Sequence, residues 1–324
     1  MDHITSDTLR GQAGRLLGDE PWAVATVRDD QVTLATHDCR PTDRFEIGSI
    51  SKGVTGLLYD EAVDRAEVRP YDRLGEHLPL GDSAVAQVRL SALATHRSGL
   101  PTLPPGQAVT RSLRWLVLQR NPYGDDLETL LRATRPVRVG RARPRYSNLG
   151  FQLLGHAVAA AAGTSYADLV RERVAKPLGL DSVTVPAGAA ELEDRDLVGR
   201  SRWGRRSAPW TGEGLGPAGG IRMDLQDAAA LAQALAQDRA PGLGALEPTA
   251  DFGLRGVRIG AAWLTSPRPG GDVVWHNGGT GGFRTWLGID RTRRLAVVVL
   301  RARYRAADPA GWRLMGDLRA EVTE

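Results

Sequence analysis

Phe45-Glu-Ile-Gly-Ser-Ile-Ser-Lys52 runs from an extended segment into Ser51–Ala66, where Val54, Leu57, Leu58, Ala62 and Val63 recur at helical spacing. Ser49 and Lys52 therefore stand three residues apart on one face of a helix start. That places the amine beside the hydroxyl, and the helix N-terminus favours negative charge developing on the oxygen. A serine hydroxyl is a weak nucleophile until a neighbouring base takes its proton. Lysine serves if desolvation lowers its pKa from about 10.4 towards about 7–8, whereas arginine stays protonated. The chain has 42 basic residues, yet Lys52 and Lys176 are its only lysines. The plainer alternative is a helix-start serine followed by a surface lysine, so the motif alone decides little.

Two further stretches carry candidate chemistry. Tyr146-Ser-Asn148 precedes the helical run Leu149–Ala162. A tyrosine near cationic groups ionises more readily and relays protons, and Asn148 suits a substrate carbonyl or the lysine. The same three residues also read as a helix cap. Trp275-His-Asn-Gly-Gly-Thr-Gly-Gly282 joins two extended segments. Its glycines let a substrate approach the backbone, the Gly279 N–H pairs naturally with that of Ser49 as an oxyanion site, and His276 brings a charge or a proton. A glycine-rich hairpin turn explains the same residues without chemistry.

In this order and at these separations, Ser-x-x-Lys, Tyr-x-Asn and His-x-Gly resemble the three active-site motifs of class C β-lactamases and penicillin-binding-protein-like esterases and transacylases. Leu93-Ala-Thr-His-Arg-Ser-Gly-Leu-Pro101 and Pro217-Ala-Gly-Gly-Ile-Arg-Met-Asp-Leu225 look similar as well, and the resemblance runs from about residue 20 to the C-terminus. It implies an α/β serine β-lactamase-like fold, an antiparallel sheet flanked by helices plus an inserted, mainly helical lobe. It further implies Ser49 as acylated nucleophile, Lys52 as its proton acceptor and Tyr146 as general acid/base. Asn148, His276, Gly278 and Gly279 become substrate-binding or oxyanion residues. The family's third motif is commonly Lys-Thr-Gly, and His276 departs from that form, which weakens a reading in which a lysine pairs with a β-lactam carboxylate.

Outward from these motifs, residues 8–17 predict a helix, and Trp22–Val27 with Val32–Thr36 predict a hairpin around Arg-Asp-Asp. The middle, 67–217, reads as helices and loops broken by Pro79, Pro101, Pro104, Pro105, Pro122 and Pro144. After a helix at 224–238 come strands over Val257–Thr265, Asp272–His276, Phe283–Ile289 and Leu295–Arg301, then a helix from Pro309. Strands at both ends predict one lobe from 1–66 and 218–324, a helical lobe from 67–217, and an active site between them.

Composition narrows the function. The 324 residues are 42% hydrophobic and 25% charged, ordinary for a globular chain that needs neither disulfide nor metal to fold. Cys39 is the single cysteine, in a polar turn, and reads as an inert thiol. Net charge is +4, but 38 acidic residues are interspersed and no basic run carries aromatics, so nucleic acid is not expected as a partner. No run approaches membrane-spanning length, and the first twenty residues hold no signal-peptide core, which points to a cytoplasmic protein.

Gly214-Leu-Gly-Pro-Ala-Gly219 lacks the preceding strand of a dinucleotide site, there is no Gly-x-Ser-x-Gly elbow or phosphate loop, and the six histidines lack metal-ligand spacing, His96 reading as a loop support. No cofactor or metal is expected. The leading expectation is an intracellular serine esterase or transacylase that takes a small-molecule acyl donor, ester, amide or thioester, and passes the acyl group to water, an amine or an alcohol. A D-alanyl-D-alanine carboxypeptidase or β-lactamase is the second reading, and a non-catalytic ligand-binding family member the third. Arg138, Arg141, Arg143 and Arg145 lead into Tyr146 and suit either a solvated loop or recognition of a substrate anion.

Overall fold

Every residue of Leu295-Ala-Val-Val-Val-Leu-Arg301 is buried, the mark of a strand covered on both faces. Leu295, Val297 and Val299 enter one apolar cluster and Ala296, Val298 and Leu300 another, as the two-residue period of a strand requires. The computed structural model describes residues 3–103, 120–254 and 256–322; Pro104 and Pro105 lie outside them.

The strands in chain order are β1 (His3–Thr5), β2 (Trp22–Arg28), β3 (Gln31–His37), β4 (Phe45–Glu46), β5 (Arg222–Met223), β6 (Ala250–Asp251), β7 (Arg258–Ile259), β8 (Leu264–Ser266), β9 (Val273–Gly279), β10 (Arg284–Asp290) and β11 (Leu295–Arg301). Nine form one sheet in the order β1-β3-β2-β11-β10-β9-β8-β7-β6. All its pairings are antiparallel except that of the edge strand β1, which lies parallel to β3. The long helices are α1 (Asp7–Leu17), α2 (Ile50–Asp64), α3 (Asn148–Ala161), α4 (Leu225–Ala236) and α5 (Asp308–Ala320). Helices α1 and α5 cover one face of the sheet, α2 and α4 the other. The described part of residues 67–217 contributes helices and no strand to this sheet.

The strand expected over 257–265 is instead two short strands. Gly260 N–H bonds the Trp263 carbonyl at 2.9 Å and Ala262 adopts φ +70°, so the chain doubles back between β7 and β8. Apolar content alone does not reveal that turn. No helix among the described residues is long and apolar enough to cross a membrane.

A second, two-stranded sheet pairs β4 with β5. It is locked by buried ions: Arg222 reaches Glu46 at 2.8 Å and Asp196 at 3.2 Å, and Arg44 reaches the other oxygen of Asp196 at 3.2 Å. Glu46 also accepts the Trp210 N–H at 2.9 Å. The lock ties the segment before Ser49 to the segment after Pro217. Arg222→Met leaves Glu46 buried without its cation and Asp196 with Arg44 alone, and is expected to cost about 3–5 kcal/mol in denaturant unfolding. A loss below about 1 kcal/mol, the range of an exposed pair, would show that the lock does not hold the fold.

Candidate active site

Gly48 turns the chain from β4 into α2 with φ +55°, a conformation that favours glycine, and a Cβ there would lie 2.5 Å from the Gly279 nitrogen. The turn therefore presses against the end of β9. Ser49 caps α2 with helical backbone angles and no side-chain cap bond, which leaves its hydroxyl for other partners. Those partners are Lys52 Nζ at 3.0 Å and the Tyr146 hydroxyl at 2.7 Å. Lys52, with no exposed surface, also donates to the Ala218 carbonyl at 2.5 Å.

Burial holds the Lys52 amine well below the ordinary lysine pKa. With the amine neutral, one N–H serves Ala218 and the lone pair accepts the Ser49 proton, so the arrangement can deprotonate the hydroxyl. Tyr146 keeps 36% of its surface exposed, yet desolvation in the site raises the phenol above its ordinary pKa despite the bond to Ser49. The expectation of a readily ionised tyrosine is thereby corrected. Tyr146 is a phenol, a proton donor to Ser49 Oγ.

Ser147 does cap α3, accepting the Gly150 N–H at 2.9 Å, so the cap reading holds for that residue while Tyr146 and Asn148 on either side reach the cavity. Asn148 donates to the Tyr123 hydroxyl at 2.5 Å rather than to Lys52. His96 accepts the Ser147 N–H at 3.2 Å on Nδ1 and the Arg145 N–H at 2.9 Å on its carbonyl, and its ring packs 4.4 Å from that of Tyr146. It supports its loop, as expected, and aims the tyrosine.

In the β9–β10 hairpin, Thr280 N–H bonds the Phe283 carbonyl at 3.1 Å. Alternation of the antiparallel ladder then turns the Gly279 N–H away from β10, towards Gly48 and Ser49. Gly278 faces elsewhere: a Cβ there would meet the Ile47 carbonyl at 2.0 Å, where Thr285 Oγ1 now donates to that carbonyl at 2.7 Å. His276 is buried and donates Nδ1–H to the Asn277 carbonyl at 2.6 Å. Burial first, and Lys52 second, lower its pKa to about 4, so it is a neutral ring that brings no positive charge near neutral pH.

Ser49, Tyr146, Asn148 and Gly279 line a cavity of about 210 Å³; Lys52, His276 and Gly278 do not. Tyr123, Trp210, Leu215 and Ala218 complete much of its wall, with the Tyr123 and Trp210 rings 5.1 Å apart. The sequence reading did not single these out. Pro217-Ala-Gly-Gly was the one available signal, and it marks the Ala218 carbonyl under Lys52. The rejected Gly214–Gly219 match is a run of short turns with no strand before it. Arg138, Arg141, Arg143 and Arg145 are exposed and none lines the cavity. Cys39 donates to the Trp22 carbonyl at 3.2 Å, and burial pushes its thiol up to about 12, which leaves it inert.

The Beta-lactamase family model matches residues 18–319. The chain belongs to the Beta-lactamase family. The D-alanyl-D-alanine-carboxypeptidase/endopeptidase AmpH of Escherichia coli is 30% identical over 143 residues, 43% of this chain and 36% of that protein. The unguisins hydrolase ungD' of Aspergillus campestris is 28% identical over 300 residues, 82% of this chain and 53% of that protein. The matched segments thus span between about a third and a half of these relatives. Among solved structures, a class C β-lactamase from Rhodobacter sphaeroides superposes with TM-score 0.78 at 20% identity, covering 98% of this chain and 99% of that one. The D-alanine carboxypeptidase AmpC from Burkholderia cenocepacia gives 0.78 at 20% identity over 96% and 99%. These likenesses establish the serine β-lactamase fold.

The buried amine has a thermodynamic consequence. The unfolded chain keeps Lys52 protonated up to about 10.5, the ordinary lysine pKa, while the folded chain releases that proton at lower pH. The unfolded state binds more protons in that window, so this residue makes stability rise with pH by up to about 1.4 kcal/mol per unit. Urea unfolding of wild type and Lys52→Met at about pH 7 and about pH 9 is expected to show a steeper rise in the wild type. Parallel rises would mean that Lys52 is buried with its charge.

Proposed function

We propose that the chain is a serine acyl-enzyme esterase or transacylase for small, uncharged acyl donors. The observation that carries the reading is Ser49 Oγ held between a desolvated lysine amine and a tyrosine phenol at the edge of an aromatic-walled cavity. Lys52 takes the Ser49 proton as Oγ attacks the acyl carbon, and the N–H groups of Ser49 and Gly279 receive the charge that develops on the carbonyl oxygen. Tyr146 gives its proton to the departing oxygen, nitrogen or sulfur, and the proton on Lys52 replaces it. Deacylation reverses the traffic: Tyr146 and Lys52 accept the proton of an incoming water, alcohol or amine, which attacks the acyl-Ser49 carbonyl and returns the hydroxyl. Asn148 and Gly279 orient the donor.

The preference for uncharged donors is supported by the walls. No charged side chain among the described residues lines the cavity, and His276 is neutral. A carboxylate entering this space meets tyrosine, tryptophan and leucine. The names of the relatives favour a second reading, hydrolysis of a D-alanyl peptide or a β-lactam, whose carboxylates need a cation or several donors.

Intact-mass measurement against p-nitrophenyl esters, aryl thioesters and a penicillin separates the two. The expected result is an adduct on the Ser49 peptide from the neutral donors, absent in Ser49→Ala. Lys52→Arg should slow acylation by about 10²–10⁴-fold. A kcat/KM for the penicillin at or above that for the esters would replace this reading by the β-lactamase one. An adduct on Ser51 or Cys39 would end it.

A further inference from the structure

The cavity at the catalytic serine is smaller than another, of about 450 Å³, between α5 and the segment that leads into β9. This larger space is of ligand size. Its inner wall is apolar: Val273 and Met315 are buried, and Trp312, partly buried, packs against the same apolar cluster. Its rim is basic, carrying Arg268, Arg293 and Arg319.

Two of the three rim guanidinium groups share a carboxylate. Arg293 and Arg319 reach the same oxygen of Asp290, at 3.2 and 2.8 Å, so one buried carboxylate answers two guanidinium groups. Arg268 lies 3.9 Å over the Trp312 ring and has no carboxylate within ion-pair distance among the described residues. The remaining bonds fix these groups in place: Arg293 donates to the Gly270 carbonyl at 2.7 Å and Arg319 to that of Gly271 at 3.1 Å. An apolar hollow rimmed by pre-positioned guanidinium groups matches a ligand with an anionic head and an apolar body.

We propose that this cavity binds an amphipathic carboxylate, an alkyl or aryl acid, with its carboxylate on the Arg268 side of the rim and its body against Trp312, Val273 and Met315. The site is separate from Ser49, and the inference does not rest on the acyl-transfer reading. Gly316 supplies the test, because a Cβ on it would project into open space, so a large side chain can fill the mouth of the cavity without a backbone clash. Arg268 is exposed, so Arg268→Gln leaves the core intact.

Titration calorimetry with decanoate, decanol and decyltrimethylammonium, on the whole chain, decides the matter. The proposal expects 1:1 decanoate binding that weakens about tenfold or more in Arg268→Gln, in Gly316→Phe and as salt is raised, with both other amphiphiles weaker than decanoate by a similar factor. Unchanged thermal unfolding of the two variants shows that they fold. The proposal is overturned if decanoate fails to bind, if decanol binds as well, or if folded Arg268→Gln and Gly316→Phe bind decanoate like the wild type.

Discussion

An amine that reaches no solvent and has no acid beside it does not stay charged in a protein interior; desolvation alone favours the neutral form. Lys52 is such an amine, and the rest of the site is arranged around that constraint. It sits in the first turn of a helix whose residues from Ile50 to Tyr59 are all buried, and it is the one basic side chain in that helix. The same burial that costs stability frees the lone pair, because a neutral amine has one to offer and an ammonium has none. Ser49 is set at the boundary, partly exposed to the cavity and bonded inward to the amine. The pair joins a cavity-facing hydroxyl to a buried amine across a single 3.0 Å contact.

Keeping that contact requires the Ala218 carbonyl to stay beneath the amine, and Ala218 is remote from Lys52 in the chain. The β4–β5 pairing provides the tether: Ile47 N–H bonds the Ile221 carbonyl at 3.2 Å, and the Ile221 N–H bonds Ser51 Oγ at 3.2 Å. The Glu46–Arg222–Asp196 lock fixes the same junction by charge. A buried ion network is seldom the most stabilising way to fill a core, but it admits few alternative registers. Here it sets the register of the strand that delivers Ser49 against the turn that delivers Ala218. Trp210, bonded to Glu46 through its backbone, is positioned by the same network, so the cavity wall and the catalytic floor share one anchor.

What could be read from the sequence was local in character. The three-residue spacing of Ser49 and Lys52, the apolar strand Leu295–Arg301, the glycine-rich β9–β10 turn and the cap at Ser147 are each contained in one short segment. The family resemblance then joined the segments. Tyr123, Trp210 and Leu215 escaped notice because nothing near them in sequence is periodic or polar in a telling way; only the tertiary path brings them to Ser49. The double-back at Ala262 was hidden because a tight turn made by alanine lacks the usual signature. Electrostatic environment was the least legible property. Tyr146 and His276 were expected to act through charge, and burial gives both the opposite character, a phenol and a neutral imidazole.

The neutrality of His276 also bears on how Lys52 obtains its basicity. A lysine at the third motif would place a second cation near the amine and would lower the amine's pKa further by repulsion. Here desolvation is the one cause acting on Lys52, whereas His96 and His276 are each depressed by Lys52 in addition to their own burial. The three bases thus share one dry region, in which a proton on any of them disfavours a proton on the others. Lys52 is the one among them that bonds the Ser49 hydroxyl. An imidazole in place of a cation therefore removes both a positive charge beside this region and a repulsive influence on the Lys52 amine.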